Sequence, residues 1–133
     1  MNKISLSENH RRSLSSSLRV VEELLDEMEG KLKYPDDRIL QTMERDTSEE
    51  DNILSLQNIV KAKQQIKKLA EKYGLSAHNS QLSRYINSHK SNIWVILSDS
   101  TSRKLKGFGE FPQEYSTEFD EDISQLQVFV NKI

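Results

Sequence analysis

A chain of 133 residues has room for one hydrophobic core, and its 30% charged and 35% hydrophobic residues suit a soluble, helix-rich protein. Four glycines and two prolines are too few for the turns of an all-β fold, and the absence of cysteine excludes disulfides and thiolate metal sites. The opening MNKISLSENHRRSL lacks an apolar leader run, and the longest apolar run, Ile93 to Leu97, is too short to cross a bilayer, so a cytoplasmic protein with no membrane partner is expected.

The first element is predicted over residues 8–33. Leu14, Leu18, Val21, Leu25, Met28 and Leu32 alternate spacings of four and three, the seam of a helix packed at a shallow angle. Ser7 suits the N-cap, and Tyr34-Pro35 ends the helix because the residue before proline disfavours the α region. Residues 34–46 then form a long connection, in which Ile39, Leu40 and Met43 suggest a short helical turn lidding the core. A second helix is expected over 48–73. Thr47 and Glu50 form a capping box, and Leu56, Ile59, Ala62, Ile66, Leu69 and Tyr73 extend the seam to a Gly74 cap.

The third helix is predicted over 79–106, with Leu82, Ile86, His89, Ile93 and Ile96 on its seam. Arg103, Lys104 and Lys106 suit its negative C-terminal end, and Gly107 is placed for a left-handed cap. Gly109 and Pro112 reverse the chain, with Phe108 and Phe111 closing the end of the core. The fourth helix, 113–131, carries Phe119, Ile123, Leu126 and Val130, with Ile133 just beyond it. Four such helices imply an all-α, antiparallel four-helix bundle forming a single domain over 1–133.

The net charge of −2 is segregated along the chain. Residues 34–58 carry two basic and seven acidic side chains, residues 59–106 ten basic and two acidic, and residues 107–133 one basic and six acidic. A basic middle between acidic neighbours can neutralise them within the fold or serve as a nucleic-acid surface. In the second case Lys61, Lys63, Lys67, Lys68, Lys72 and Arg84 are the candidates, and they should form one positive face.

Residues 66–90 contain LAEKYGLSAHNSQLSRYIN, which resembles a helix-turn-helix DNA-binding element. Ala70 and Gly74 have the right separation and Leu75-Ser76 follows. The next core positions fall on Ser80 and Ser83, so a turn longer than standard is needed to bring Leu82 and Tyr85 there. RYINSH, with Arg84 and His89 five apart, is similar to the Arg-x4–6-His motif of HEPN-type ribonuclease domains. That resemblance implies His89 as general base and Arg84 as the stabiliser of phosphate charge. Histidine phosphotransfer domains are similar in size and helical architecture, but KSNIW after His89 departs from their small, basic, glycine-containing stretch. EELLDEMEG resembles the acidic helix of all-α nucleotide pyrophosphatases, without the second E-x-x-D that family carries.

No histidine has a glutamate three residues before it, so a bundle-type metal site is not expected, and no phosphate or dinucleotide fingerprint points to a cofactor. No complete catalytic constellation is present. The leading expectation is a non-catalytic interaction or regulatory module, homodimeric or bound to a protein partner, with Trp94, Phe108, Phe111 and Tyr115 as contact candidates. DNA binding through residues 66–90 is the first alternative, and a ribonuclease using Arg84 and His89 the second.

Overall fold

The computed structural model describes residues 3–36 and 38–133, and among these there are helices and connections but no β-strand. The protein is all-α. It divides into two compact units, Met1–His78 and Asn79–Ile133, each built on an antiparallel helix pair.

The first unit pairs α1 (Glu8–Lys33) with α2 (Glu49–Tyr73). Ser7 Oγ accepts the His10 N–H at 3.1 Å, satisfying one of the orphan donors of the first turn of α1. Tyr34 is extended ahead of Pro35, and its N–H donates to Gly30 O at 2.9 Å. The α2 cap is Ser48, one residue later than the Thr47 box predicts. Ser48 Oγ accepts the Asp51 N–H at 3.1 Å, while the Thr47 hydroxyl donates to Asn52 Oδ1 at 2.6 Å and is thereby drawn away from the helix end. Gly74 takes the left-handed conformation (φ 64°), and the following N–H of Leu75 reaches Ala70 O at 2.8 Å. The Ile4 N–H donates to Lys72 O at 2.8 Å, so the segment before α1 lies along the end of α2.

The α2 seam is as predicted: Leu56, Ala62, Ile66, Leu69 and Tyr73 are half-buried, and Ile59 is 3% exposed. On α1, Leu14, Leu18, Leu25 and Leu32 pack, whereas Val21 and Met28 are exposed. The expected helical turn in 34–46 does not form among the described residues, and Ile39 and Leu40 are 97% and 98% exposed. The polar anchors of this connection explain that result. Arg38 turns back onto Asp36 (2.7 Å), and Arg45 donates to Lys31 O, Leu32 O and Tyr34 O at 2.6–3.3 Å. Arg45 thus satisfies the orphan carbonyls ending α1, and the apolar residues between the two anchors are left in solvent.

The second unit comprises α3 (Leu82–Ser98), a single turn α4 (Ser102–Leu105), 3₁₀ turns at Lys106–Phe108 and Gln113–Tyr115, and α5 (Ser116–Asn131). The predicted 79–106 helix therefore starts late and breaks after Ser98. The break follows from Asp99-Ser100-Thr101-Ser102, four residues whose side chains compete for backbone groups. Ser100 Oγ donates to Ile96 O at 2.8 Å, and Thr101 Oγ1 accepts the Lys104 N–H at 3.4 Å. The fourth predicted helix begins with a 3₁₀ turn and becomes α-helical at Ser116. Gly107 lies within a 3₁₀ turn; the positive φ of this stretch belongs to Gly109 (144°).

On α5, Phe119, Ile123 and Gln127 are half-buried and Val130 is 7% exposed, whereas Leu126, and Ile133 just beyond the helix, are exposed. On α3 the half-buried stripe is Ile86, Lys90, Leu97 and Ser98, whereas Leu82 and Ile93 of the predicted seam are exposed. His89 is exposed, so its predicted place on the seam is taken by Lys90. Lys90 Nζ donates to the backbone oxygens of Asn131 (3.3 Å) and Ile133 (3.0 Å), placing a cation at the negative end of α5. Gln127 Nε2 donates to Ser98 Oγ at 3.3 Å, a second polar contact across the pair.

Candidate functional site

The broad apolar arc of α1 outruns the contact that α2 makes with it. Val20, Val21, Leu24 and Met28 are all exposed and fall within roughly 100° of one another around the helix. They adjoin the packed stripe of Leu14, Leu18, Leu25 and Leu32, so the helix is apolar over nearly half its circumference, and a single partner helix covers only part of that. The α3–α5 pair repeats the pattern. Tyr85, His89 and Ile96 on α3, Leu126 and Phe129 on α5, and Ile133 just beyond α5 are exposed. Helical geometry displaces both sets to the same flank of this antiparallel pair. The signal for these flanks was present in the sequence as apolar residues beside each seam position, but the four-three spacing alone draws attention only to the seam.

Of the predicted contact residues, Phe111 packs on Phe119, with ring centroids 5.0 Å apart, and is part of the fold. Phe108 is 92% exposed rather than closing a core, while Trp94 and Tyr115 are exposed to a lesser degree. Buried Ser102 and half-buried Asp120 fix this end of the second unit. Asp120 accepts both the Ser102 N–H and hydroxyl at 2.8 Å, and these bonds, the backbone one foremost, hold its carboxyl below the usual range.

The predicted lysines divide into two groups. Lys61, Lys68 and Lys72 lie within roughly 40° around α2, and Lys63 and Lys67 project from a direction roughly 140° away. Lys72 Nζ sits 5.6 Å from the centroid of the Tyr73 ring. Lys63 bridges to Asp26 and Glu29 on α1, and its pKa is raised, chiefly by the bond to Asp26. Arg84 belongs to the second unit. Residues 74–81 separate α2 from α3, longer than the three- or four-residue turn of a standard helix-turn-helix.

Arg84 and His89 lie on one helix but project roughly 140° apart. His89 stacks on Tyr85 with ring centroids 4.0 Å apart, and its Nδ1 lies 2.9 Å from Tyr85 O, a contact that requires the proton on Nδ1. Among the described residues, no three His, Asp or Glu side chains gather as a metal-ligand set, and no helix is long and apolar enough to cross a membrane. Compared with known proteins, the chain matches no family, no curated sequence and no solved structure.

Proposed function

We propose that the chain is a non-catalytic helical interaction module that self-associates, a second copy covering the open flank of its α3–α5 pair. The observation that supports this reading is the exposed set of Ile96, Leu126, Phe129 and Ile133 on one flank of a pair whose buried hydrophobic core is Val130. A two-helix contact removes little apolar surface, and the exposed remainder is the kind of contiguous patch that marks an interface. Two α3–α5 pairs laid flank to flank would complete a four-helix arrangement of the antiparallel type. The isologous contact would set Phe129 of each copy near the two-fold axis, where an aromatic anchor contributes most. In this reading the protein acts in the cytoplasm by assembly rather than by turnover.

Sedimentation velocity at micromolar concentration tests it. The wild-type protein is expected to run as a dimer, and Phe129→Glu as a monomer with unchanged helicity by far-UV circular dichroism. A monomeric wild type, or a Phe129→Glu dimer as tight as the wild type, contradicts the proposal.

A further inference from the structure

We propose that the groove between α1 and α2, on the flank of the first unit opposite the exposed apolar arc of α1, binds a small amphipathic anion: a carboxylate on an apolar body. The groove has a volume of about 620 Å³, within the range of small-molecule sites. Its floor is apolar, formed by Leu18 of α1, Ile66 and Ala70 of α2, and Leu75 beyond the Gly74 cap. Its rim is cationic. Arg19 and Lys67 stand on opposite walls, and among the described residues the only acidic one lining the groove is Glu22.

The charge pattern selects the ligand class. Lys63 also lines the groove, but Asp26 and Glu29 already neutralise it. Arg19 and Lys67 have no ion-pair or hydrogen-bond partner among the described residues, so two cations face an apolar cleft with their donors unused. The chain segment closing the groove adds further donors. Ser76, Ala77 and His78 line it, lie outside any helix, and make no backbone–backbone hydrogen bond among the described residues. A carboxylate held by a guanidinium, an ammonium and backbone N–H groups gains charge-assisted hydrogen bonds. An apolar body lying over Leu18, Ile66 and Leu75 gains burial, which inorganic phosphate cannot. The lined stretch of α1, Ser15 to Glu22, is roughly 10 Å long, two helical turns, which suits a small molecule better than an extended peptide.

The test is a titration of the full chain with dodecanoate, dodecyltrimethylammonium and inorganic phosphate, followed by calorimetry and by amide chemical shifts. Dodecanoate is expected to bind saturably and to shift the amides of Arg19, Lys67 and Ser76 to His78. The cationic amphiphile and phosphate are each expected to bind at least about tenfold more weakly, the equivalent of losing one charge-assisted bond or the apolar contact. Arg19→Gln with Lys67→Gln, both on exposed positions, should weaken dodecanoate by about tenfold or more. Ala70→Trp, which fills the floor, should abolish the groove shifts while leaving helicity intact. Equal binding of the two amphiphiles, or an affinity indifferent to the Arg19/Lys67 change, overturns the proposal. Phe129→Glu separates this site from self-association: it should bind dodecanoate as the wild type does. If it fails to, or if the shifts map to α3 and α5 instead, the ligand sits on the self-association flank and the groove assignment is wrong.

Discussion

Ile59→Ala probes whether the first unit owes its stability to a single well-buried contact. Ile59 is 3% exposed, so truncation to alanine removes three buried carbons, about 2.4 kcal/mol at about 0.8 kcal/mol per carbon. Its neighbours on α1 and α2 are only half-buried and can relax into the space, so the cavity term is small. Alanine returns about 0.4 kcal/mol through better helix propensity, leaving a net loss of about 2 kcal/mol. Val60, one position along, is 49% exposed, and Val60→Ala removes two carbons that are only half-desolvated. That loss, about 0.8 kcal/mol, is largely offset by propensity and leaves about 0.3 kcal/mol. Urea denaturation followed by far-UV circular dichroism, at one protein concentration throughout, measures both. With m near about 2 kcal/mol/M, Ile59→Ala should lower the midpoint by about 1 M and Val60→Ala by about a tenth of that or a little more. Equal midpoints for the two variants, or a larger drop for Val60→Ala, would refute the packing of α1 on α2 described above.

The α2 cap makes a paired prediction. Ser48→Ala should cost about 1 kcal/mol by the same denaturation assay, and Thr47→Ala less than about half of that, because the Thr47 hydroxyl donates to Asn52 rather than capping. The reverse order would restore Thr47 as the cap. Asp120 makes the second unit acid-sensitive. Its folded pKa lies below the unfolded value of about 3.9, so its contribution is complete above that pH and fades as the pH falls through the folded value. Melting temperatures of the wild type and Asp120→Asn, taken at neutral pH and in increasingly acid buffer, should therefore converge as the pH drops. A gap that stays constant across that range would mean the Ser102 bonds do not favour the ionised carboxylate.

The sequence made some of these features plain and hid others, for identifiable reasons. Ser7, Tyr34-Pro35 and Gly74 mark their helix ends because the cap chemistry is local: a hydroxyl three residues from an amide, a proline, a glycine with φ 64°. The α2 seam was legible because every position in it is at least half-buried in the packed pair. On α3 the four-three spacing placed His89 on the stripe, where the structure has Lys90. What decides between them is the end of α5, about forty residues away, whose carbonyls need a cation. Arg45 was invisible for the same reason, since its partners are carbonyls at the end of α1. The break after Ser98 was carried by local polar residues, but the buffer of apolar side chains in NIWVIL and the cations after it favour reading one continuous helix. Gly107 and Gly109 are two residues apart, and only backbone geometry shows that the second takes the positive φ. Of the candidate sites, the aromatic set dissolved into one packing pair and separate exposed rings, and the lysines into two directions around α2.

The two proposed surfaces are separable in free energy as well as in place. The anion groove lies on one flank of the α1–α2 pair, roughly 150° around α1 from Leu24 and Val20, and the self-association flank lies in the α3–α5 pair. A ligand changes an assembly equilibrium only by the difference in its affinity for the two states. Since none of Ile96, Leu126, Phe129 or Ile133 lines the groove, direct contact supplies no such difference, and dodecanoate affinity should be the same for monomer and dimer. By reciprocity, saturating ligand should leave the dimer dissociation constant unchanged. A coupling between the two would require an intermediary element with two arrangements, and the residues to search first are 75–81. They line the groove at one end and join α3 at the other, and residues 76–78 make no backbone–backbone hydrogen bond among the described residues.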